Sequence, residues 1–78
     1  MRSSVLEYVE DGEFKQFFPG GEKIKILANM EDGQLHGRYE EFYPTGELHI
    51  KGKYKNGKKS GIWKFYSTSG ALARKERF

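Results

Sequence analysis

The sequence predicts an all-β fold, a single twisted antiparallel β-meander of about seven strands built from repeated β-hairpins. Three observations predict it: a phrase that occurs twice at a fixed spacing, a regular series of turn signals, and period-two alternation of apolar and polar residues. The chain has 78 residues, enough for one domain, and at this length folding buries only about 60% of the surface that the unfolded chain exposes. We therefore expect a thin core.

The repeated phrase gives the architecture. Segment 37–48 reads GRYEEFYPTGEL and returns at 61–72 as GIWKFYSTSGAL, and Gly33 returns as Gly57. The step of about 24 residues lies within the range that is typical of repeat proteins. We divide the single domain, 1–78, into a degenerate copy at about 9–32 and full copies at about 33–56 and 57–78.

Turn signals separate the predicted strands. They lie at 11–12, 19–21, 32–33, 44–46, 56–57 and 67–70. The Asp-Gly and Asn-Gly pairs among them tolerate the positive φ angles that a tight primed hairpin turn requires. The runs between the signals are about five to eight residues long and rich in Tyr, Phe, Ile and Leu, as strands are.

Alternation is clearest in the second strand of each copy. The residues predicted to point inward are Ile24, Ile26, Ala28 and Met30, then Leu48, Ile50, Gly52 and Tyr54, then Leu72, Arg74, Glu76 and Phe78. The residues predicted to point outward in the first two copies are Lys23, Lys25 and Asn29, then His49, Lys51 and Lys53. Because its inward set contains charged residues, the final strand is predicted to be an edge strand whose charges oppose pairing with another chain. Tyr39 and Phe42 are three positions apart, so either a bulge intervenes or both faces carry aromatic residues.

Charge is divided unevenly along the chain. Residues 1–35 carry four Lys and Arg against seven Asp and Glu, whereas residues 36–78 carry ten against four. The basic second half indicates either an acidic partner or a solvated lysine-rich face. No run of 18 apolar residues exists, and the first ten residues reach two acids before a signal-peptide core forms, so we expect a soluble, cytoplasmic protein.

Catalytic and metal chemistry find little support in the sequence. The absence of cysteine excludes disulfides, thiolate metal sites and cysteine nucleophiles. His36 and His49 have no carboxylate at a metal-binding spacing. Glu40 and Glu41 are neighbours on a predicted strand and would point to opposite faces, so they cannot share a substrate. No glycine-rich turn has the GxxxxGK[ST] phosphate-loop pattern. We predict that the chain is not an enzyme and uses no cofactor or metal.

Two segments resemble a known repeat. The matching positions are Gly37-x-Tyr39-x-x-Phe42-Tyr43-x-x-Gly46-x-Leu48 and Gly61-x-Trp63-x-x-Tyr66-x-x-x-Gly70-x-Leu72. They resemble the MORN repeat (membrane occupation and recognition nexus), and more closely the variant found in bacterial YwqK-like antitoxin proteins. The resemblance covers roughly residues 9–78. It implies one β-hairpin per repeat, stacked side by side into an elongated sheet, with protein or membrane binding as the usual role and no catalytic residues.

Aromatic residues and lysines are the candidate binding residues. Segment 51–64 has six lysines and no acid, interleaved with Tyr54 and Trp63. This composition suits single-stranded nucleic acid or an anionic surface, although the repeat also needs both rings for packing. The aromatic residues exceed what one face of a thin sheet can bury, so they either mark an interaction site or cover the second face. The predicted partner-binding residues are Phe42, Tyr43, Tyr54, Trp63, Phe65, Tyr66, Lys51, Lys53, Lys58, Lys59 and Lys64.

From these observations we predict a non-enzymatic protein-interaction module. Its expected role is that of an antitoxin, immunity protein or inhibitor that binds and masks a toxin or nuclease. The contact would use the aromatic residues near Trp63 and Tyr43, with the lysines steering the partner. The alternative is a nucleic-acid or anionic-membrane binder that uses the lysine-rich segment 51–64, and a further possibility is a homo-oligomer formed through strand edges.

Overall fold

The computed structural model describes residues 12–78, and six antiparallel strands form one sheet in them. The strands are β1 (Gly12–Phe17), β2 (Ile24–Glu31), β3 (Gln34–Phe42), β4 (Leu48–Lys55), β5 (Lys58–Tyr66) and β6 (Leu72–Arg77). Each strand pairs with its neighbours along the chain, so the sheet order is β1 to β6. The predicted all-β meander is confirmed.

The prediction of about seven strands exceeds the six found in the described residues. An additional strand before β1 would require residues 1–11, which lie outside the described residues, as does the first half of the Asp11–Gly12 turn signal. The three described hairpins, β1–β2, β3–β4 and β5–β6, are joined by two further turns, so every neighbouring pair is antiparallel.

The two turns that join successive hairpins use left-handed backbone. Asp32 has a φ of 53° and Gly33 a φ of 80°, while Asn56 has a φ of 51° and Gly57 a φ of 85°. Two consecutive positive φ angles are the mark of a type I′ turn, whose twist matches that of the flanking strands. The Asp-Gly and Asn-Gly signals therefore predicted the backbone of these turns correctly.

The glycine that opens the repeated phrase lies at an irregularity of the sheet. Gly37 has a φ of 98° and Gly61 a φ of 74°. The register of β2 against β3 shifts beside Gly37, and that of β4 against β5 shifts beside Gly61. Glycine adopts this left-handed backbone without steric cost, which explains why the same residue recurs at both bulges.

A second register shift decides how the aromatic residues of β3 are placed. The pairing of β3 with β4 shifts between Glu41 and Phe42, and that of β5 with β6 shifts at the equivalent place, between Phe65 and Tyr66. Of the two predicted alternatives, the bulge is present. In both hairpins, β3–β4 and β5–β6, the bulge lies next to the turn and changes the register there.

A row of residues that runs across the strands forms the centre of the sheet. The register pairs Phe14 with Ala28, Ala28 with Tyr39, and Tyr39 with Gly52, and the ring of Trp63 lies against Gly52. Directly opposite residues share a face, so large rings alternate with small residues along this row. Ala28 and Trp63 are the buried apolar side chains among the described residues, which agrees with the expectation of a thin core.

The described part of the protein is one layer thick. It measures 44 × 32 × 13 Å, and all of its strands belong to the same sheet. Stacked sheets lie about 10 Å apart, so an extent of 13 Å accommodates one sheet and its side chains. No described strand packs against either face.

Candidate interaction surfaces

The two faces of the sheet differ in chemistry. Because side chains alternate along a strand, Gly52 and Tyr54 lie on one face of β4, and Lys51 and Lys53 lie on the other. We call the first the aromatic face, which carries Tyr39, Tyr54, Trp63, Phe65 and Phe78. We call the second the lysine face, which carries Lys51, Lys53, Lys64, Lys75 and Arg77.

Trp63 is the centre of the aromatic face. Its side chain is 2% exposed, and its ring centroid lies 5.5 Å from that of Tyr39, 5.2 Å from that of Tyr54 and 6.2 Å from that of Phe78. The rings of Tyr54 and Phe78 meet the indole edge to face, a geometry that stabilises aromatic pairs beyond the area they bury. The aromatic face therefore contains its own small core.

Gly52 makes room for this core. A Cβ atom on Gly52 would lie 2.1 Å from Cδ2 and 2.2 Å from Cε2 of Trp63, far inside the contact distance. The backbone of Gly52 has no positive φ, so the need for glycine here is steric. The indole Nε1 of Trp63 donates a hydrogen bond to the carbonyl oxygen of Lys53 at 3.1 Å, which fixes the ring flat against the strand.

Two cations lie over the aromatic face. The Nζ of Lys59 is 5.0 Å from the ring centroid of Trp63 and 5.0 Å from that of Phe78. The guanidinium of Arg74 is 4.3 Å from the ring centroid of Phe65. Cations within about 6 Å of a ring are attracted by its π-electrons. The face therefore combines apolar rings with positive charge.

Tyr39 is neutral at physiological pH. Its burial, together with the charge of Glu41 and the neighbouring Tyr54, raises the pKa of the Tyr39 hydroxyl to about 12. The phenol of Tyr39 is therefore a hydrogen-bonding group at neutral pH and not a phenolate nucleophile.

The lysine face carries its charges in a line. The register places Lys64 directly opposite Lys51 on β4 and directly opposite Lys75 on β6. Lys53 lies two residues from Lys51, and therefore on the same face. A shallow depression of about 490 Å³ is lined by these four lysines together with Gly52, Gly61 and Ile62.

Tyr43 joins the ends of two hairpins. Its hydroxyl donates a hydrogen bond to the backbone carbonyl of Tyr66 at 2.7 Å. Its ring stacks on His49 with a centroid distance of 4.2 Å and an interplanar angle of 20°. His49 lies two residues before Lys51 on β4, at the register shift of β4 against β3.

The structure distributes the predicted partner-binding residues over both faces. Tyr54, Lys59, Trp63 and Phe65 lie on the aromatic face, whereas Lys51, Lys53 and Lys64 lie on the lysine face. Phe42, Tyr43 and Tyr66 lie at hairpin ends, and Lys58 begins β5 opposite Lys55. The buried side chain of Trp63 offers almost no surface to a partner.

Four exposed residues of the C-terminal segment belong to these surfaces and are missing from the predicted set. They are Arg74 and Phe78 on the aromatic face and Lys75 and Arg77 on the lysine face. Their alternation was visible in the sequence. What the pattern did not reveal is that β6 brings them beside Trp63 and Lys64.

His36 contacts residues of two neighbouring elements. His36 Nδ1 accepts a hydrogen bond from the backbone amide of Asn56 at 3.1 Å, and its Nε2 lies 3.5 Å from the carboxylate of Glu31. These contacts join the β4–β5 turn to β3 and β3 to the end of β2. Within residues 12–78 no group of three or more histidines and acids could hold a metal ion. In the same residues no helix is long and apolar enough to cross a membrane.

Comparison with known proteins identifies one repeat. No curated protein and no solved structure matches the chain. Residues 35–56 match the family model described as a MORN repeat variant, and this stretch contains β4 together with most of β3. The match covers the hairpin that carries Tyr39, Gly52 and Tyr54, which suggests a binding module. Residues 35–56 are therefore similar to a MORN repeat variant.

Proposed function

We propose that the chain is a non-enzymatic protein-interaction module that binds its partner through the aromatic face. One observation carries this proposal: the aromatic face belongs to a single-layer sheet, and no described strand covers it. Apolar surface that remains uncovered in a small protein is typical of an interaction site. The MORN repeat variant at residues 35–56 supports the same class of function.

The exposed part of the aromatic face has the composition of an interface centre. Phe78 is 52% exposed and lies at the margin of the Trp63 cluster, while Tyr54 is half-buried. Aromatic residues and arginine are enriched where interfaces gain most of their affinity. A face of 44 by 32 Å also exceeds the roughly 800 Å² that each partner buries in an interface of standard size.

Lys59 and Arg74 indicate the charge of the partner. Both cations lie over exposed edges of the aromatic face, and neither forms a salt bridge with an acid outside its own strand among the described residues. A partner with carboxylates around an apolar patch would complement this arrangement and associate faster at low salt. We therefore expect an acidic protein partner.

The finer proposal is that the module acts as an antitoxin, immunity protein or inhibitor. It rests on the resemblance of segments 37–48 and 61–72 to the repeats of YwqK-like antitoxin proteins. A rigid face of this size can cover the active cleft of a toxin or nuclease by steric exclusion. In that case the module itself needs no catalytic group.

The experiment uses two matched variants of exposed apolar residues on opposite faces. Phe78→Ser removes an aromatic-face residue that is 52% exposed, and Ile62→Ser removes a lysine-face residue that is 46% exposed. A protein is first captured from the native host with the unmodified chain and identified, and its affinity for both variants is then measured by calorimetry. Trp63 is not used, because truncating a buried ring would destabilise the sheet and change the affinity for that reason alone.

The proposal predicts that Phe78→Ser weakens binding at least tenfold, a typical effect for an interface aromatic, and that Ile62→Ser leaves the affinity unchanged. Equal effects of both variants, or an effect of Ile62→Ser alone, would show that the aromatic face is not the contact. The inhibitor role is tested separately, by expressing the captured protein with and without the chain. If co-expression neither relieves a growth defect caused by that protein nor lowers its enzymatic activity, the inhibitor role is wrong, while the binding surface stands.

A further inference from the structure

The lysine face concentrates unpaired positive charge. Lys51, Lys64 and Lys75 are direct cross-strand neighbours, and neighbours of this kind have Cβ atoms about 4.5 to 5.5 Å apart. Lys53 and Arg77 extend the group by one position along β4 and β6. None of these cations forms a salt bridge with another described residue.

This arrangement is unfavourable in the isolated protein. Like charges directly opposite each other destabilise a sheet, and Lys64 has such a neighbour on both sides. The one acid in line with the row is Glu40, which lies opposite Lys51 on β3 and compensates at most one end. A bound polyanion would relieve the repulsion along the whole row.

The surroundings of the row distinguish between an acidic protein and a nucleic acid. Ile62 is the one exposed large apolar side chain among the described residues of this surface. Lysine is depleted in the centres of protein–protein interfaces, whereas interfaces with nucleic acid are polar and strongly positive. A lysine row that surrounds a single isoleucine fits the second class.

The dimensions of the row suit a single strand. Two interstrand spacings make its length about 9.6 Å, over which a stacked strand with a rise of about 3.4 Å per nucleotide carries about three phosphates. The stacked pair of Tyr43 and His49 is two residues from Lys51 along β4 and offers aromatic surface to an unpaired base. Phosphate contacts from lysine combined with base stacking are the common basis of single-strand binding.

We propose that the lysine row, Lys51, Lys64 and Lys75 with Lys53 and Arg77, binds the phosphodiester backbone of single-stranded nucleic acid. The site lies on the face opposite to the one proposed for the protein partner. It therefore stands or fails independently of the proposed function, and both partners can bind at the same time.

Titration of labelled single-stranded DNA and RNA oligonucleotides of equal length with the full 78-residue chain tests the proposal. If about three phosphates are neutralised, the slope of log K against log salt is about −2, and affinity falls roughly 20-fold between 50 and 200 mM salt. The two oligonucleotides show whether the sugar affects affinity. If neither binds at 50 mM salt, the proposal is wrong.

Two triple variants distinguish binding at the row from general attraction by the net charge of the protein. Lys51→Gln, Lys64→Gln and Lys75→Gln together should make the slope shallower by about 2 and abolish tight binding at low salt. The control makes the same change in net charge away from the row and combines Lys23→Gln in the β1–β2 turn with Lys59→Gln and Arg74→Gln on the aromatic face. If the control loses as much affinity as the row variant, binding depends on overall charge and the proposed site is wrong.

The single variant Lys64→Glu distinguishes loss of the binding site from loss of folding. It reverses the central charge of the row and should bind oligonucleotide at least tenfold more weakly, while remaining at least as stable as the unmodified chain. Polyglutamate and vesicles that contain phosphatidylserine serve as the competing ligands. If either binds to the row as tightly as the oligonucleotides do, an acidic protein or an anionic membrane is the partner and the nucleic-acid assignment is overturned.

Discussion

The substitution Gly52→Ala tests the steric core of the protein most directly. The new Cβ atom would lie 2.1 Å from the indole of Trp63, a distance that no side chain can tolerate, so the ring must leave its position. Overpacking of this kind costs about 1 to 3 kcal/mol. Displacement of the ring also breaks the hydrogen bond from Trp63 Nε1 to the carbonyl of Lys53, which contributes about 1 kcal/mol.

We therefore expect Gly52→Ala to lower the free energy of unfolding by about 3 kcal/mol. A domain of 78 residues has a total stability of roughly 4 to 12 kcal/mol, so the loss is a large part of the whole. The melting temperature should fall by about 12 to 24 °C. Since Trp63 is the single tryptophan of the chain, its fluorescence emission should shift to the red as the indole becomes solvated.

Two controls establish the cause of this loss. Gly70→Ala is a glycine-to-alanine change without a steric clash: its Cβ atom enters open space on a backbone with a φ of 93°, so its cost of about 1 to 2 kcal/mol comes from left-handed backbone, which Gly52 does not have. The second control repeats Gly52→Ala in a Trp63→Ala background, with unfolding followed by circular dichroism in a stabilising osmolyte. If Gly52→Ala lowers the free energy of unfolding as much without the indole as with it, the contact between Gly52 and Trp63 is not the reason for the lost stability. The steric argument is then refuted.

Three further predictions concern Tyr43, Lys64 and Tyr39. Tyr43→Phe should destabilise the protein by about 1 kcal/mol through loss of the hydrogen bond to the Tyr66 carbonyl, while Tyr66→Phe, a matched control, should change stability little in the same urea titration. Lys64→Glu should raise stability by about 0.5 kcal/mol by replacing repulsion from Lys75 with attraction, and the gain should shrink in high salt. Because the folded pKa of Tyr39 is about 12 against an ordinary value of 10.0, the folded state holds its proton more tightly, so stability should fall as pH rises from 10 to 12. Tyr39→Phe should remove this fall of stability between pH 10 and 12. An unchanged dependence of stability on pH would contradict the burial of the hydroxyl.

The strands and turns could be predicted because they follow from local chemistry. Asn56 and Gly57 tolerate positive φ, so the pair specifies a type I′ turn wherever two strands flank it. The alternation around Gly52 specifies which side chains share a face of β4. These rules act over a few residues, and the sequence displays them directly. About seven strands were expected, and a seventh strand before β1 would require residues 1–11, outside the described residues.

The candidate sites could be predicted only in part. The aromatic residues and lysines between residues 51 and 64 were recognised by composition, but composition cannot assign them to a face when a bulge changes the register. Gly61 lies beside such a shift in the pairing of β4 with β5, so the partner of Lys51 across the strands could not be read from spacing alone. For the same reason Lys75 and Phe78 were not recognised as parts of the two surfaces.

The sequence by itself determined the secondary structure of this protein, its hairpin order and its thin aromatic core, because backbone preference and side-chain alternation are local properties. Only the tertiary structure decided that Trp63 lies flat on Gly52 and that Lys51, Lys64 and Lys75 form one row. Both arrangements join residues from different strands, and they depend on the register that the bulges impose. That register separates the rings from the lysine row and gives one thin sheet two chemically distinct faces.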